Sequence, residues 1–228
     1  DDECGVCGGD GSICGTVMDI DGNVYNTIQI GEQLWMAENL KVTHYNDGSE
    51  IQYVQQESSE PDVWENLSTG AYGYYDDDSS HLDTYGNLYN WYAVDDGGLC
   101  MEGWHVPSDE EFMELEMYLG MSEEEANSYG YRGTDEGSQL AENSDLWNDG
   151  DLENNSEFGT SGFNVLPAGY RYGSNGLYYY MGSSGAFWSS SENYSFSAWY
   201  RRLSYYSSYV TRYSFSKQVG FSIRCLGD

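Results

Sequence analysis

Basic side chains are scarce: 8 Lys and Arg stand against 39 Asp and Glu in 228 residues, a formal net charge of −31. Nucleic-acid binding draws on Lys and Arg that displace phosphate counterions, so a nucleic-acid partner is excluded. Long apolar runs are missing as well. No stretch approaches the roughly 18 residues a membrane-spanning helix needs, and no membrane insertion is expected. Neither a repeat of 20 to 50 residues nor a run of heptads occurs, which argues against a solenoid or a coiled-coil fibre. Only three histidines are present (His44, His81, His105), none in a recognisable nucleophile motif, so a hydrolytic triad has little to build on. No apolar leader opens the chain; it begins Asp1-Asp2-Glu3-Cys4, the form expected of an exported protein after processing.

What is abundant points to a folded, extracellular domain. A hydrophobic fraction of 39% with 16% aromatics supports a core and argues against general disorder. Two lysines against 23 tyrosines and 28 glycines suit an extracellular surface better than a cytosolic one. The five cysteines agree with a secreted or cell-surface location. Cys4, Cys7 and Cys14 crowd the N-terminus, while Cys100 and Cys225 stand far apart, and such a distant pair reads as a structural disulfide closing a long loop. An odd total leaves one thiol over.

Charge is unevenly divided. From residue 160 to 228 there are six basic residues (Arg171, Arg201, Arg202, Arg212, Lys217, Arg224) and two acidic ones, giving +4, whereas residues 1 to 159 carry −35. The same C-terminal stretch holds 11 of the 23 tyrosines. Tyr and Arg are enriched in interface hot spots, which makes Tyr178, Tyr179, Tyr205, Tyr206, Arg201 and Arg202 the candidate interface.

Residues 1–15 are acidic, glycine-rich and without apolar periodicity, and they read as an arm outside the main domain at 16–228. Cys4-x-x-Cys7 lacks the second half of a zinc site. A local disulfide is expected here, with Cys7 and Cys14 as candidates and the pairing with Cys4 open; Asp1, Asp2, Glu3 and Asp10 could hold calcium beside it. Two apolar alternations flank Asp21-Gly22-Asn23, the signature of a tight hairpin turn. Pro107, then Ser108 with Glu111 in a capping box and Phe112, Leu115 and Leu119 on one stripe, predict a helix from Ser108 to Leu119; a shorter helix is expected from Ser122, with Glu125 three residues on. Beyond Gly162 the pattern predicts short strands and turns, among them Phe163–Leu166, Phe187–Ser189, Ala198–Tyr200 and Phe221–Cys225. One ordered α+β domain is expected, loop-rich, with one main helix and short antiparallel strands.

Oxygen-rich loops suggest metal. Asp145, Asn148, Asp149 and Asp151 surround Trp147, and Asp76 and Asp78 lie in a second acidic patch; these are the candidate calcium ligands, with Trp147 as a platform for a sugar ring.

Six segments in order resemble a known family: the hairpin Asp19 to Ile30 followed by Gly31-Glu32-Gln33-Leu34-Trp35-Met36-Ala37-Glu38-Asn39-Leu40, then Tyr85-Gly86-Asn87-Leu88-Tyr89-Asn90-Trp91-Tyr92-Ala93-Val94, Cys100-Met101-Glu102-Gly103-Trp104-His105-Val106-Pro107, Ser161-Gly162-Phe163-Asn164-Val165-Leu166-Pro167-Ala168-Gly169-Tyr170-Arg171, Phe187-Trp188-Ser189-Ser190-Ser191-Glu192 and Gly220-Phe221-Ser222-Ile223-Arg224-Cys225. Together they are similar to the Fibrobacter succinogenes major paralogous domain, an exported bacterial module. The resemblance implies a C-type-lectin-like fold, akin to the formylglycine-generating enzymes, with the first and last strands adjacent and Cys100 bridged to Cys225. It implies no activity. Copper oxidase chemistry of the formylglycine type would need a thiol pair, and only Cys225 lies in the matching region, so no enzyme is expected.

The leading expectation is a non-enzymatic exported structural or adhesive protein that self-associates head to tail into a homo-oligomer or filament, with calcium screening its acidic surfaces. A monomeric calcium-dependent module that binds glycans is the alternative.

Overall fold

The computed structural model describes residues 15–56, 62–95 and 97–228. It is mostly β, with 35% of residues in strands and 20% helical, and this corrects the expected α+β domain with one main helix and short strands. The strands are β1 Thr16–Met18, β2 Val24–Ile30, β3 Gln33–Met36, β4 Gln52–Tyr53, β5 Ala71–Gly73, β6 Leu88–Tyr89, β7 Trp104–His105, β8 Gly130–Arg132, β9 Ala168–Arg171, β10 Tyr178–Met181, β11 Ser184–Tyr194, β12 Ser197–Ser204, β13 Ser207–Ser216 and β14 Leu226–Gly227. They form a five-stranded sheet in the order β1-β2-β3-β14-β7, a six-stranded sheet β10-β9-β11-β12-β13-β8 and a three-stranded sheet β4-β5-β6. The last strand lies between β3 and β7, while β1 is an edge strand separated from it by β2 and β3, so the expected adjacency of first and last strands is not found.

Local chemistry accounts for the hairpin and the two capped helices. The first hairpin turns at Asp19–Asn23, where Gly22 takes the left-handed φ of 82° and the Asp19 carboxylate accepts from the amides of Asp21 and Asn23 and from the Tyr25 hydroxyl. Helix Asp109–Tyr118 starts with both hydrogen bonds of a Ser108–Glu111 capping box, and helix Glu123–Asn127 starts the same way from Ser122 and Glu125.

The six-stranded sheet departs most from the expected short strands, with β11, β12 and β13 running 11, 8 and 10 residues. Strands β11 and β12 pair from Ser184↔Ser204 to Tyr194↔Ser197, and β12 and β13 from Ser197↔Ser216 to Ser204↔Ser207. The sheet separates two cores. On one face Phe187, Leu203 and Val210 pack with Trp35, Phe112, Leu115 and Phe163; on the other Trp188, Tyr200 and Ala186 pack with Tyr89, Phe221 and the bridged cysteines. Of the expected strands, Phe163–Leu166 and Phe221–Cys225 contribute only isolated bridges, at Val165, Phe221 and Ser222. Cys100 and Cys225 are bridged, with Cα atoms 5.9 Å apart. Cys7 and Cys14 lie outside the described residues. Among the described residues no helix is long and apolar enough to cross a membrane.

Candidate functional site

The fate of the eight basic residues defines the site. Asp109 and Glu116, both buried on helix Asp109–Tyr118, engage three arginines from the sheet. The Arg132 guanidinium donates twice to Glu116, at 2.9 and 2.7 Å; Arg201 donates to Glu116 and Asp109, each at 2.6 Å; Arg212 forks onto Asp109 and lies 3.9 Å over the Trp199 ring. Burial pushes the Asp109 carboxyl up, but Arg212 and Arg201 outweigh it and hold it below the usual range.

Arg171 donates to the carbonyls of Gly176 and Val54 beneath the Trp64 ring. Arg224 is fully buried, donates to Asn39 and to the carbonyls of Phe163 and Asn164, and desolvation lowers its pKa to about 9. Lys217 pairs with Glu192 and Lys41 with Asp83. Seven of the eight cations are thus engaged within the chain, and the +4 excess of the C-terminal segment is largely internal rather than a surface patch.

Arg202 is the exception. Among the described residues it makes no hydrogen bond and no ion pair, and its Nε is buried without a partner. Strand periodicity explains the contrast with its neighbour: successive side chains point to opposite faces, so Arg201 enters the carboxylate pair while Arg202 emerges on the other side.

That other face continues beyond the core as a field of tyrosines. Tyr180 stacks on Tyr170 with ring centroids 5.4 Å apart, and Tyr179 and Tyr172 extend the row. On the opposite flank the hydroxyls of Tyr131 and Tyr206 meet at 3.2 Å, and Tyr213 lies beside Tyr131 and Tyr129. Tyr131, Tyr180, Tyr206 and Tyr209 are exposed. Tyr180 has a φ of 65°, a left-handed conformation uncommon for an aromatic residue, which costs roughly 1–3 kcal/mol. At the end of this row Tyr172 and Phe215, their rings inclined at 61° and 6.2 Å apart, border a cleft of about 320 Å³ whose other walls include Glu65, Ser174, Ser216 and Gln218.

Among the described residues, the strands that build this face are nearly free of carboxylates, Glu65 standing at the cleft beyond them. All six strands of the sheet contain one acidic residue, Glu192 at the far end of β11, and Lys217 neutralises it. Arg202 acts on Tyr131, Tyr170, Tyr200 and Tyr206, and no carboxylate figures among the main influences on any of the four. The Tyr131 hydroxyl, followed by Ser204 and Arg202, lowers the Tyr206 pKa, while burial first and the Tyr180 oxygen second raise that of Tyr170. Elsewhere the tyrosines feel acid: Asp77 for Tyr53 and Tyr178, Asp19 for Tyr25.

Several expected site residues are placed otherwise. Tyr178 is buried under Arg171 and donates to Asp77 at 2.9 Å, and Arg201 is buried in the carboxylate pair, so neither offers a contact surface. Tyr179 and Tyr205 are half-buried; Tyr206 and Arg202 belong to the open face. Trp147 is not a sugar platform: it is buried in the second core and donates to the Glu142 carbonyl. Asp145 is exposed in a single turn, Asn148 donates to Ser183, Asp149 accepts from Asn154, and Asp151 is exposed. Asp78 caps the turn Ser79–His81 and Asp76 has a φ of 54°. Among the described residues no group of three or more His, Cys, Asp or Glu is placed to hold a metal ion.

His105 bridges two carboxylates, Asp228 at 2.7 Å and Glu111 at 2.9 Å, tying the chain's last residue to the capping box. Partial burial opposes the charge, but Asp228 and Glu111 prevail and raise its pKa. A raised folded value means stabilisation that is complete below the unfolded value of about 6.5 and lost as pH climbs through the folded one. The melting temperature should therefore fall between pH 6 and 8, and the His105→Gln variant should lose that pH-dependent step; an unchanged profile would remove His105 from the stability account.

The family model described as the Fibrobacter succinogenes major domain matches residues 28–226, most of the chain, and the chain belongs to that family. No curated protein and no solved structure matches it.

Proposed function

We propose that this member of the Fibrobacter succinogenes major domain family is a non-enzymatic, exported adhesive module that holds glycan chains on the tyrosine face of its six-stranded sheet. One observation carries the reading: in a chain of net charge −31, that face has Arg202 without a partner among the described residues, open tyrosines around it and no acidic residue on β12 or β13. Tyrosine suits the task because its ring stacks on the apolar face of a sugar while its hydroxyl bonds the sugar's own, at little conformational cost. The row of rings from Tyr180 to the Tyr172–Phe215 cleft gives an extended ligand several successive contacts. The cleft volume lies at the lower end of the range of small-ligand sites.

A Tyr131→Ala/Tyr180→Ala double variant should fold as the wild type does and lose at least tenfold in affinity for any glycan the wild type retains on an array. Equal retention by both proteins would refute the assignment of the face.

A second reading is head-to-tail self-association into a filament, with calcium screening the acidic surfaces. It is favoured by the exposed apolar side chains Met18, Ile20 and Val24 on the hairpin of edge strand β1, where another chain could add a strand. Under this reading, filaments seen by negative-stain microscopy loosen in chelator, and removing residues 1–14 abolishes them without unfolding the domain; uniform single particles with and without calcium would count against it.

A further inference from the structure

Building on the reading of the tyrosine face as a glycan surface, we infer that its ligand is an acidic glycan, whose carboxylates pair with Arg202 while its rings lie on the flanking tyrosines. Every other cation of the chain has found an oxygen in the fold: Arg132, Arg201 and Arg212 in carboxylates, Arg171 and Arg224 chiefly in carbonyls, Lys41 and Lys217 in acids. Among the described residues Arg202 alone has not, although carboxylates outnumber cations almost five to one in this chain. A partly buried guanidinium with an orphaned Nε is costly, because the group gives up water and receives nothing in exchange. That Nε is closed to solvent, but the two outer nitrogens of the half-buried group are not, and a bound carboxylate can take both end-on with two parallel hydrogen bonds.

The surroundings select for the same chemistry. Nothing acidic competes on the neighbouring strands: β12 and β13 contain no Asp or Glu, and Ala186 and Thr211, the cross-strand partners of Arg202, are uncharged. Strand register sets Arg202 in a row with Thr211 and, beyond it, Tyr131 of β8 on one side, and with Ala186 on the other, past which β9 carries Tyr170 stacked with Tyr180. The cation therefore sits between two sets of rings rather than at the rim, which matches a polymer that carries sugar faces and carboxylates in alternation. The acid-rich remainder of the surface repels such a polymer and leaves this face as the place where it can settle.

Two forms of one polymer test the inference with the full chain: polygalacturonate and the same backbone with its carboxylates methyl-esterified, compared by affinity electrophoresis and calorimetry. Wild type should bind the acidic form ten- to a hundredfold more tightly than the ester, the range expected for a hydrogen-bonded charge pair. Arg202→Gln should bring the two affinities together, and Arg202→Lys, which keeps the charge without the fork, should restore part of the preference. Equal binding of both forms by wild type, or a preference that survives Arg202→Gln, would overturn the acidic-ligand inference while leaving the glycan face standing. Binding of neither form, together with no glycan retained on an array, would overturn the glycan reading itself.

Discussion

Replacing Glu116 by Gln should remove on the order of 3–5 kcal/mol of folding stability, the usual cost of stripping one partner from a buried ion pair. Glu116 is buried and accepts from two arginines, Arg132 and Arg201. Without its charge, Asp109 is left as the sole carboxylate among three buried guanidiniums, and two of them lose a full charge-assisted hydrogen bond. Such a loss is a large part of the roughly 5–15 kcal/mol that holds an ordinary domain together. For a chain of this length it corresponds to a fall in melting temperature on the order of 10 °C. Glu114→Gln is the control: Glu114 is exposed on the same helix, and its replacement should change stability by less than about 0.5 kcal/mol. Similar melting curves for the two variants would show that the network contributes nothing net. The network also sets an acid limit. Because Asp109 titrates below its usual range, its contribution is present above about pH 4 and disappears as pH falls toward the depressed value.

Removing the Cys100–Cys225 bridge should cost a similar amount, roughly 4–5 kcal/mol in the loop-entropy account. The bridge spans a separation of 125 residues, close to the upper end of what a disulfide can take from the unfolded ensemble. It also anchors structure. The carbonyl of Cys225 accepts from Met36 on β3, so the bond ties that strand region to the segment that follows helix Trp91–Asp95. Full reduction, verified by mass, and the Cys100→Ala/Cys225→Ala variant should lower the denaturant midpoint by comparable amounts. A reduced protein as stable as the oxidised one would mean that the cores alone fix the two segments.

The parts of this structure legible in sequence are those specified within a few residues. Ser108–Glu111 and Ser122–Glu125 announce helix starts because the capping box is a local exchange of hydrogen bonds, and Asp21-Gly22-Asn23 announces a hairpin because only certain residues tolerate its backbone. The β11–β13 meander was hidden for the converse reason. Its turn from β12 to β13 is Tyr205-Tyr206, with no Gly, Asn or Asp to mark it, and β12 is buried on both faces over most of its length, so no alternation appears.

The site failed in sequence for a related reason. Arg201 and Arg202 are adjacent and chemically identical, and only the position of Asp109 and Glu116, more than 80 residues earlier in the chain, decides which is consumed. Tyr178 and Tyr179 divide the same way, one under Arg171 and the other toward Tyr170. A charge count of +4 registers all six basic residues equally; the fold leaves one of them free. Strand periodicity could have shown that each of these pairs splits between two faces. Which face is covered depends on contacts distant in sequence.

Hydroxyl-radical footprinting of the tyrosines, with and without polygalacturonate, tests most directly whether this face is where ligand is held. Protection is expected at Tyr131, Tyr180 and Tyr206, while Tyr118 at the end of helix Asp109–Tyr118 and Tyr194 at the far end of β11, both more exposed, keep their oxidation rates. Unchanged rates at Tyr131, Tyr180 and Tyr206, or protection centred on Tyr118 or Tyr194, would contradict the account.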